Sequence, residues 1–377
     1  MEVMKFQYSE KTGWVGGEFP KWDSPQTALF VFCAPEFIDH PQPLGDLLKR
    51  YPMSKVVGCS SAGEIFGTGV HDHSVSVAIV RFEDTHLRLE TFKVSETPES
   101  FALAVKAATK MNTPDLAAVF VLSDGLAING SLLVAGLSSI LPKKVVVTGG
   151  LAADGDRFKR TWVLVNGEPK EGYVTVLGLY GSRVRVQHGS QGGWDIFGPE
   201  RVITKSEGNV LYELDGKPAL ELYKKYLGEK AEGLPATALL FPLQIRLPNE
   251  QRTVVRTILS VDHEKKTMTF AGDLPQGSLA QLMRANFDRL IDGASEAVEK
   301  VTHRPGVPTL VVAISCVGRR LVLGERIEEE TETIREKFDA NSKQVGFYSY
   351  GEISPLIAGG SCELHNQTMT LTVIQEE

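Results

Sequence analysis

Nine residues, Val57-Gly58-Cys59-Ser60-Ser61-Ala62-Gly63-Glu64-Ile65, recur near the other end of the chain as Val345-Gly346-Phe347-Tyr348-Ser349-Tyr350-Gly351-Glu352-Ile353, with six positions identical. Such self-similarity constrains the fold more than composition does, because the chain must build one supersecondary unit twice. The match extends beyond the nine residues. Residues 70–80 align with 364–374, apolar on apolar, and share one histidine as His71 and His365; upstream, 29–33 aligns with 312–316. Each copy reads as strand, helix, strand, Gly-Glu-Ile turn, histidine and strand, and the second carries six extra residues between Ile353 and His365.

A length of 377 residues suits two domains, each able to bury its own core. The formal charge of -7 leaves no basic surface for nucleic acid. No apolar run approaches the ~20 residues of a membrane helix, and the first residues lack a basic region followed by an apolar core. The expected location is the cytoplasm, and no membrane or nucleic-acid partner is expected. Cys33, Cys59, Cys316 and Cys362 form no C-x-x-C pair, so they read as reduced thiols rather than a disulfide framework or zinc knuckle.

Hydrophobic patterning divides the chain into an irregular arm over 1–26 holding Trp14 and Trp22, an amino-terminal α/β domain over 27–215 and a carboxy-terminal α/β domain over 216–377. In the first domain, strands are expected at 27–33, 55–58, 75–82, 87–94, 116–122, 144–148, 161–165 and 173–180. Helices are expected at 43–51, 98–111 and 132–141, the last capped by Ser131. The loop Thr148-Gly149-Gly150-Leu151-Ala152-Ala153-Asp154-Gly155 is a faint third copy, its glycine and acid out of register with the first. A hairpin at 201–204 and 210–214 leads to a helix at 218–227 and strands at 238–245, 253–261 and 267–271. An amphipathic helix over 278–302 follows, then strand 309–316, helix 327–338 and strands 344–347 and 369–374. The fold class is α/β, two domains of mixed β-sheet flanked by helices and related by an internal duplication; if the two face each other across a pseudo-twofold axis, Glu64 and Glu352 are expected in equivalent places on it.

The repeated turns carry the candidate site. An acid after glycine at the end of a buried strand sits where α/β sheets place their ligand crevice, so Glu64 and Glu352 are expected to accept hydrogen bonds from a ligand amine. The alternative is that each satisfies N–H groups of its own turn. Ser60, Ser61 and Ser349 would donate to a ligand carboxylate or cap the turn, with Cys59, Gly63, Tyr350, Gly351 and Asp154 completing the lining. Asp124 belongs to the same kind of strand-end turn. His71, His365 and Asn366 are read as orienting residues behind the turns.

Cys59, after a strand and before small residues, raises a thiol-dependent hydrolase as an alternative. The nucleophile-elbow spacing fails at Ala62, and the other copy has Phe347 and Tyr348 at the Cys59 and Ser60 positions. His71 and His73 share a strand face, but two ligands do not make a metal site. No complete dinucleotide or phosphate-cradling motif is present. The expected activity is binding without turnover, with no catalytic residue and no metal.

The run Gly58 to Ile65, the 148–155 loop, and Tyr348-Ser349-Tyr350-Gly351-Glu352-Ile353 with Cys362-Glu363-Leu364-His365-Asn366-Gln367-Thr368 together resemble the FIST family. The resemblance covers nearly the whole chain, as an amino-terminal FIST domain followed by a carboxy-terminal one. It implies an intracellular sensory protein that binds a small ligand such as an amino acid. Its partner in trans would be a histidine kinase, a cyclase or phosphodiesterase of cyclic-di-GMP, or a chemoreceptor. One subgroup implies a haem-binding nitric oxide sensor, for which a non-covalent axial ligand would come from His71, His73, His188 or His365.

Overall fold

The computed structural model describes residues 1–248, 253–357 and 359–377. Its organising unit begins with two parallel strands, Thr27–Cys33 and Lys55–Ser60. Ser74–Arg81 runs antiparallel on the far side of Thr27–Cys33, and Glu2–Ser9 forms the next strand outward. Thr27–Cys33 is apolar throughout save its first residue and buried along its whole length, as a strand covered on both faces must be.

The same order occurs twice more. In a second module it is Val146–Leu151, Leu116–Ser123, Tyr173–Tyr180 and His86–Lys93. In a third it is Ser342–Ser349, Thr309–Cys316, Met369–Glu376 and Val184–Gln191. The faint third copy in the sequence is thus a complete module. Its turn lost the Gly-Glu-Ile signature while its strands kept their order.

Each module sends a hairpin into another module's sheet. Glu64–Phe66 leaves the first and pairs with Ser342–Ser349 of the third. Gly351–Pro355 leaves the third and pairs with Val146–Leu151 of the second. Val163–Val165 leaves the second and meets Lys55–Ser60 of the first, Val163 opposite Cys59. The exchange is cyclic, so the expected pseudo-twofold gives way to a pseudo-threefold arrangement. Three backbone bonds repeat it at the centre: the N–H groups of Ala62, Ala153 and Tyr350 donate to the carbonyls of Tyr348, Ser60 and Leu151 at 2.9, 3.1 and 3.2 Å.

Close strand approach explains one repeated glycine. A Cβ at Gly58, Gly149 or Gly346 would lie 2.4, 1.8 and 1.8 Å from the carbonyl oxygens of Val31, Val121 and Ala313, positions that correspond in the three modules. The inner faces of the three sheets share one core, where Phe30 meets Phe120 edge-on at 5.3 Å and Phe32 stacks on Phe347 at 4.8 Å.

Helices cover the outer faces. Ser100–Met111 packs on Gly130–Ile140 in the second module, and Phe287–Glu299 on Ile327–Glu336 in the third. The first module has only the short helix Gln42–Leu48 and completes its cover with the amino-terminal arm. That arm is not irregular: Glu2–Ser9 pairs residue by residue with Ser74–Arg81, and Gly13–Val15 folds back on it.

Between Val184–Gln191 and the helix Phe287–Glu299 lies a β-subdomain, residues 195–284, with its own core of Ile203, Leu220, Tyr223, Ile245 and Phe270. Residues 215 and 216 form the turn between Val210–Leu214 and Lys217–Pro218 inside this sheet, so the physical units do not divide there. The expected helix over 278–302 is the strand Leu279–Arg284 followed by a helix that Asn286 caps through Arg289 N–H. Leu279, Leu282 and Met283 fit either period, and tertiary pairing with Leu243–Arg246 decides it. The expected strand over 238–245 starts as the 3-10 turn Ala236–Leu240, and the one over 253–261 breaks at Thr257. Asn129, not Ser131, caps Gly130–Ile140, and the helix Val317–Leu323 had no sequence counterpart above. No helix among the described residues is long and apolar enough to cross a membrane.

Candidate functional site

The duplicated turns form two matching internal latches. Glu352 is fully buried; its Oε1 accepts from Ser349 Oγ at 2.6 Å, and its Oε2 accepts from Thr368 N–H at 3.2 Å and Thr368 Oγ at 2.9 Å. Glu64, 1 % exposed, accepts from Ser74 N–H at 3.1 Å and Ser74 Oγ at 2.8 Å, with Ser61 beside it. Ser74 opens the antiparallel strand of its module and Thr368 immediately precedes that of its own, so each acid ties the departing hairpin to the strand that follows it. The hydrogen bonds of these two side chains are thus made within the protein, to Ser349 of the turn and to Ser74 and Thr368 at the start of the following strand rather than to N–H groups of the turn itself.

Burial outweighs those hydrogen bonds. It pushes the Glu352 carboxyl up to about 8 and that of Glu64 well above the ordinary range. Gly63 has φ +136, and a Cβ there would lie 2.5 Å from the Arg320 guanidinium, which donates to Ala62 O. Gly351 packs on Leu364, whose Cδ1 would lie 2.8 Å from an added Cβ.

Cys59 points into the shared core with Phe347 at the equivalent place in the third module, and burial drives its thiol well above the usual range. A nucleophile needs the thiolate and access to substrate, and this thiol has neither. Ser60 Oγ accepts from Trp162 N–H at 3.1 Å, and Ser61 Oγ from Gly63 N–H at 2.9 Å. Both are buried; Ser61 caps its own turn, whereas Ser60 ties the turn to the second module's Trp162. His71 stands opposite Glu64 across its hairpin and His365 opposite Glu352; His365 Nε2 bonds Ser354 O at 2.9 Å, and Asn366 Nδ2 donates to Tyr350 O at 3.4 Å.

The candidate site is a cleft of about 350 Å³ at the carboxyl ends of the second module's parallel strands. One wall is the loop from Gly125 to Asn129 with Gly130, the first residue of its helix; the opposite wall is Asn209, Leu259 and residues 270–272 of the β-subdomain. Tyr350, carried in on the third module's hairpin, forms the floor with Leu151 and Phe158. Phe158 stacks on the Tyr350 ring at 4.5 Å and 11°. The Tyr350 hydroxyl donates to Asp154 and also meets Gly155 O at 2.9 Å, while Asp154 accepts from the N–H groups of Lys159 and Arg160 at 2.9 and 2.8 Å. Asp154 thus orders the loop that carries Phe158. Asp124 holds the facing loop by accepting from Leu126 N–H at 2.9 Å and Ala127 N–H at 3.2 Å.

Of the residues expected to line a site, the structure brings Tyr350 to the cleft and Asp154 directly behind it. Cys59, Ser60, Ser61, Gly63, Glu64, Ser349, Gly351 and Glu352 do not line it. Phe158, Asn209 and residues 270–272 were missed; only the Asn129 cap, with an apolar helix behind it, left a local signal.

Two family models match the chain: the FIST N domain over residues 27–217 and the FIST C domain over residues 219–355. The chain belongs to the FIST family. FIST domains are associated with sensory signalling. In this FIST protein the two matches meet within the β-subdomain sheet, and the second ends before the last strand of the third module. An uncharacterised protein of Methanocaldococcus jannaschii is 24% identical over 257 residues, covering 62% of this chain and 49% of the relative. The chain therefore spans about half the length of that curated relative.

Haem does not fit the cleft. Its lining holds no histidine, cysteine or methionine, and the Tyr350 hydroxyl is already committed to Asp154. His71, His73, His188 and His365 all lie outside it. No group of three or more His, Cys, Asp or Glu arranged for a metal ion occurs among the described residues.

Proposed function

We propose that this FIST protein is an intracellular sensory protein that binds an amino acid or similar small metabolite in the Tyr350 cleft. It signals in trans to a partner such as a histidine kinase, a cyclic-di-GMP enzyme or a chemoreceptor. The carrying observation is that the cleft is walled by three separately built parts: the second module, the third module's crossing hairpin and the β-subdomain. A ligand filling it touches all three and favours one arrangement of them, which is how binding biases a conformational equilibrium. A volume of about 350 Å³ lies at the small end of the range for small-molecule pockets. The mixture of aromatic rings, Asn209 and glycine-rich backbone supplies apolar contact with a few polar groups.

A thermal-shift screen of amino acids and small metabolites tests this reading. A ligand at a hundred times its Kd adds about 2.7 kcal/mol to stability. The expected result is a saturable rise in Tm for the wild type that Ala127→Trp removes, since Ala127 is exposed at the cleft and tryptophan there fills it. An equal shift in both proteins would move the site elsewhere.

A further inference from the structure

Lys5 projects from the strand Glu2–Ser9 to the place where the first module's hairpin enters the third module's sheet, and its Nζ lies 4.1 Å from the centre of the Phe66 ring. Phe66 is paired opposite Val345, and side chains two apart on a strand share a face. Lys343 therefore continues the face on which Phe66 and Val345 meet Lys5. Gly67 makes room for the amine, because its φ is +65 and a Cβ there would lie 2.5 Å from Lys5 Nζ. The side chain of Lys5 is half-buried and still reached by solvent.

The charges that act on this amine are cations. Arg335, in the last turn of the helix Ile327–Glu336, and Lys343 both repel its ammonium form, and His71 of the entering hairpin interacts with it as well. Arg335 Nη1 donates to Phe338 O at 2.7 Å and Lys343 Nζ to Ala340 O at 3.0 Å, so neither is neutralised by those contacts. The acids of the surrounding elements are engaged elsewhere: Glu328 accepts from Val70 N–H at 3.2 Å and acts on His71, and Glu2 pairs with Arg81. Among the described residues no carboxylate lies within ion-pair distance of Lys5 Nζ and no hydrogen bond reaches it. Burial, then Arg335 and Lys343, bring the amine down to about 8 from an ordinary 10.5.

We infer that Lys5 is a modification site whose neutral amine adds carbon dioxide and holds it as a carbamate beside Arg335 and Lys343. The Nζ lone pair forms an N–C bond to the carbon of carbon dioxide, one C–O π pair moves onto oxygen, and the nitrogen releases one proton to water. Nothing is oxidised or reduced. At pH 7.5 an amine titrating at about 8 is uncharged in roughly a quarter of the molecules, against about one in a thousand for an ordinary lysine. The product is an anion, so the same two cations that disfavour the ammonium favour the carbamate. None of Lys5, Phe66, Arg335 and Lys343 lines the Tyr350 cleft, and the modification is independent of what binds there.

Trapping with triethyloxonium ion in buffer charged with carbon dioxide, followed by peptide mass mapping of the full chain, tests the inference. At pH 7.5 the ethylated carbamate is expected at Lys5 with an occupancy about tenfold or more above that at the exposed Lys11 and Lys21. Its occupancy is expected to level off above about pH 8, where the Lys5 amine is already mostly neutral, while that of Lys11 keeps rising towards pH 10. Lys5→Arg keeps a cation over Phe66 and should abolish the adduct at this position. Lys343→Gln keeps the amine and removes one of the two stabilising charges, so the occupancy at Lys5 should fall a few fold. No adduct at Lys5 in the wild type, equal occupancy at Lys5 and Lys11, or an occupancy that Lys343→Gln leaves unchanged overturns the inference.

Discussion

Replacing Glu352 by Gln isolates the acid of the third module's latch. The glutamine keeps the shape: its carbonyl takes the place of Oε2 and accepts from Thr368, while its amide donates to Ser349 Oγ, a hydroxyl able to accept as well as donate. The variant therefore resembles the protonated acid. In the folded protein that acid titrates at about 8, against an ordinary 4.5. Between those values the folded state holds a proton that the unfolded state has released, so stability falls as pH rises, by about 1.4 kcal/mol per pH unit. The full contribution is present below pH 4.5 and has been lost above pH 8, with an upper limit of about 5 kcal/mol across the window. Urea unfolding of wild type and Glu352→Gln at half-unit steps from pH 5 to 8.5 reads the difference directly. The expected difference curve shows the variant gaining on the wild type by 1 kcal/mol or more per pH unit towards alkaline pH. Parallel stability curves, or a wild type that gains on the variant as pH rises, would refute the burial argument. Glu64 is pushed in the same direction by the same cause, so adding Glu64→Gln should flatten the profile further.

Other perturbations test separate parts of the fold. Gly346→Ala puts a methyl group 1.8 Å from Ala313 O in the parallel pair of the third module, and a loss of about 3 kcal/mol or more in denaturant unfolding is expected; an effect below 1 kcal/mol would show that the strands separate easily. All four cysteines are buried, so a thiol reagent should label the native protein only at the rate of unfolding, and rapid labelling of Cys59 would reopen the hydrolase alternative. Tyr350→Phe leaves Asp154 and Gly155 O without the hydroxyl and should reduce stability by about 1–3 kcal/mol while speeding hydrogen exchange at residues 155–160. Unchanged exchange there would separate Tyr350 from the order of that loop.

The two acid-bearing copies were legible in the sequence because their turns keep identical residues for a packing reason: Gly58 and Gly346 admit a carbonyl, and Glu64 and Glu352 close a latch. The second module was nearly invisible, since it holds its hairpin without that latch and kept only Gly149 at the tight approach. Cyclic exchange of hairpins could not be read at all, because Glu64–Phe66 has the same pattern whichever sheet it joins. The cleft escaped for a related reason. Tyr350 stands two residues before Glu352, where strict alternation would put both on one face; the chain instead breaks at Tyr350, between the strands Ser342–Ser349 and Gly351–Pro355, and the two side chains part, one to the cleft and one to the interior. Leu279 and Met283 were misread because a short apolar run fits a strand or a helix until its partner is known.

The most direct measurement of the central claim is the position of a bound ligand in a crystal of the complex, using a compound that raises the Tm in the screen. The account predicts density enclosed by Tyr350, Phe158, the loop from Gly125 to Asn129 and residues 270–272 of the β-subdomain. Density against Glu64 or Glu352, with the Ser74 or Thr368 bonds broken to receive it, would contradict that placement and restore the repeated acids as the binding residues.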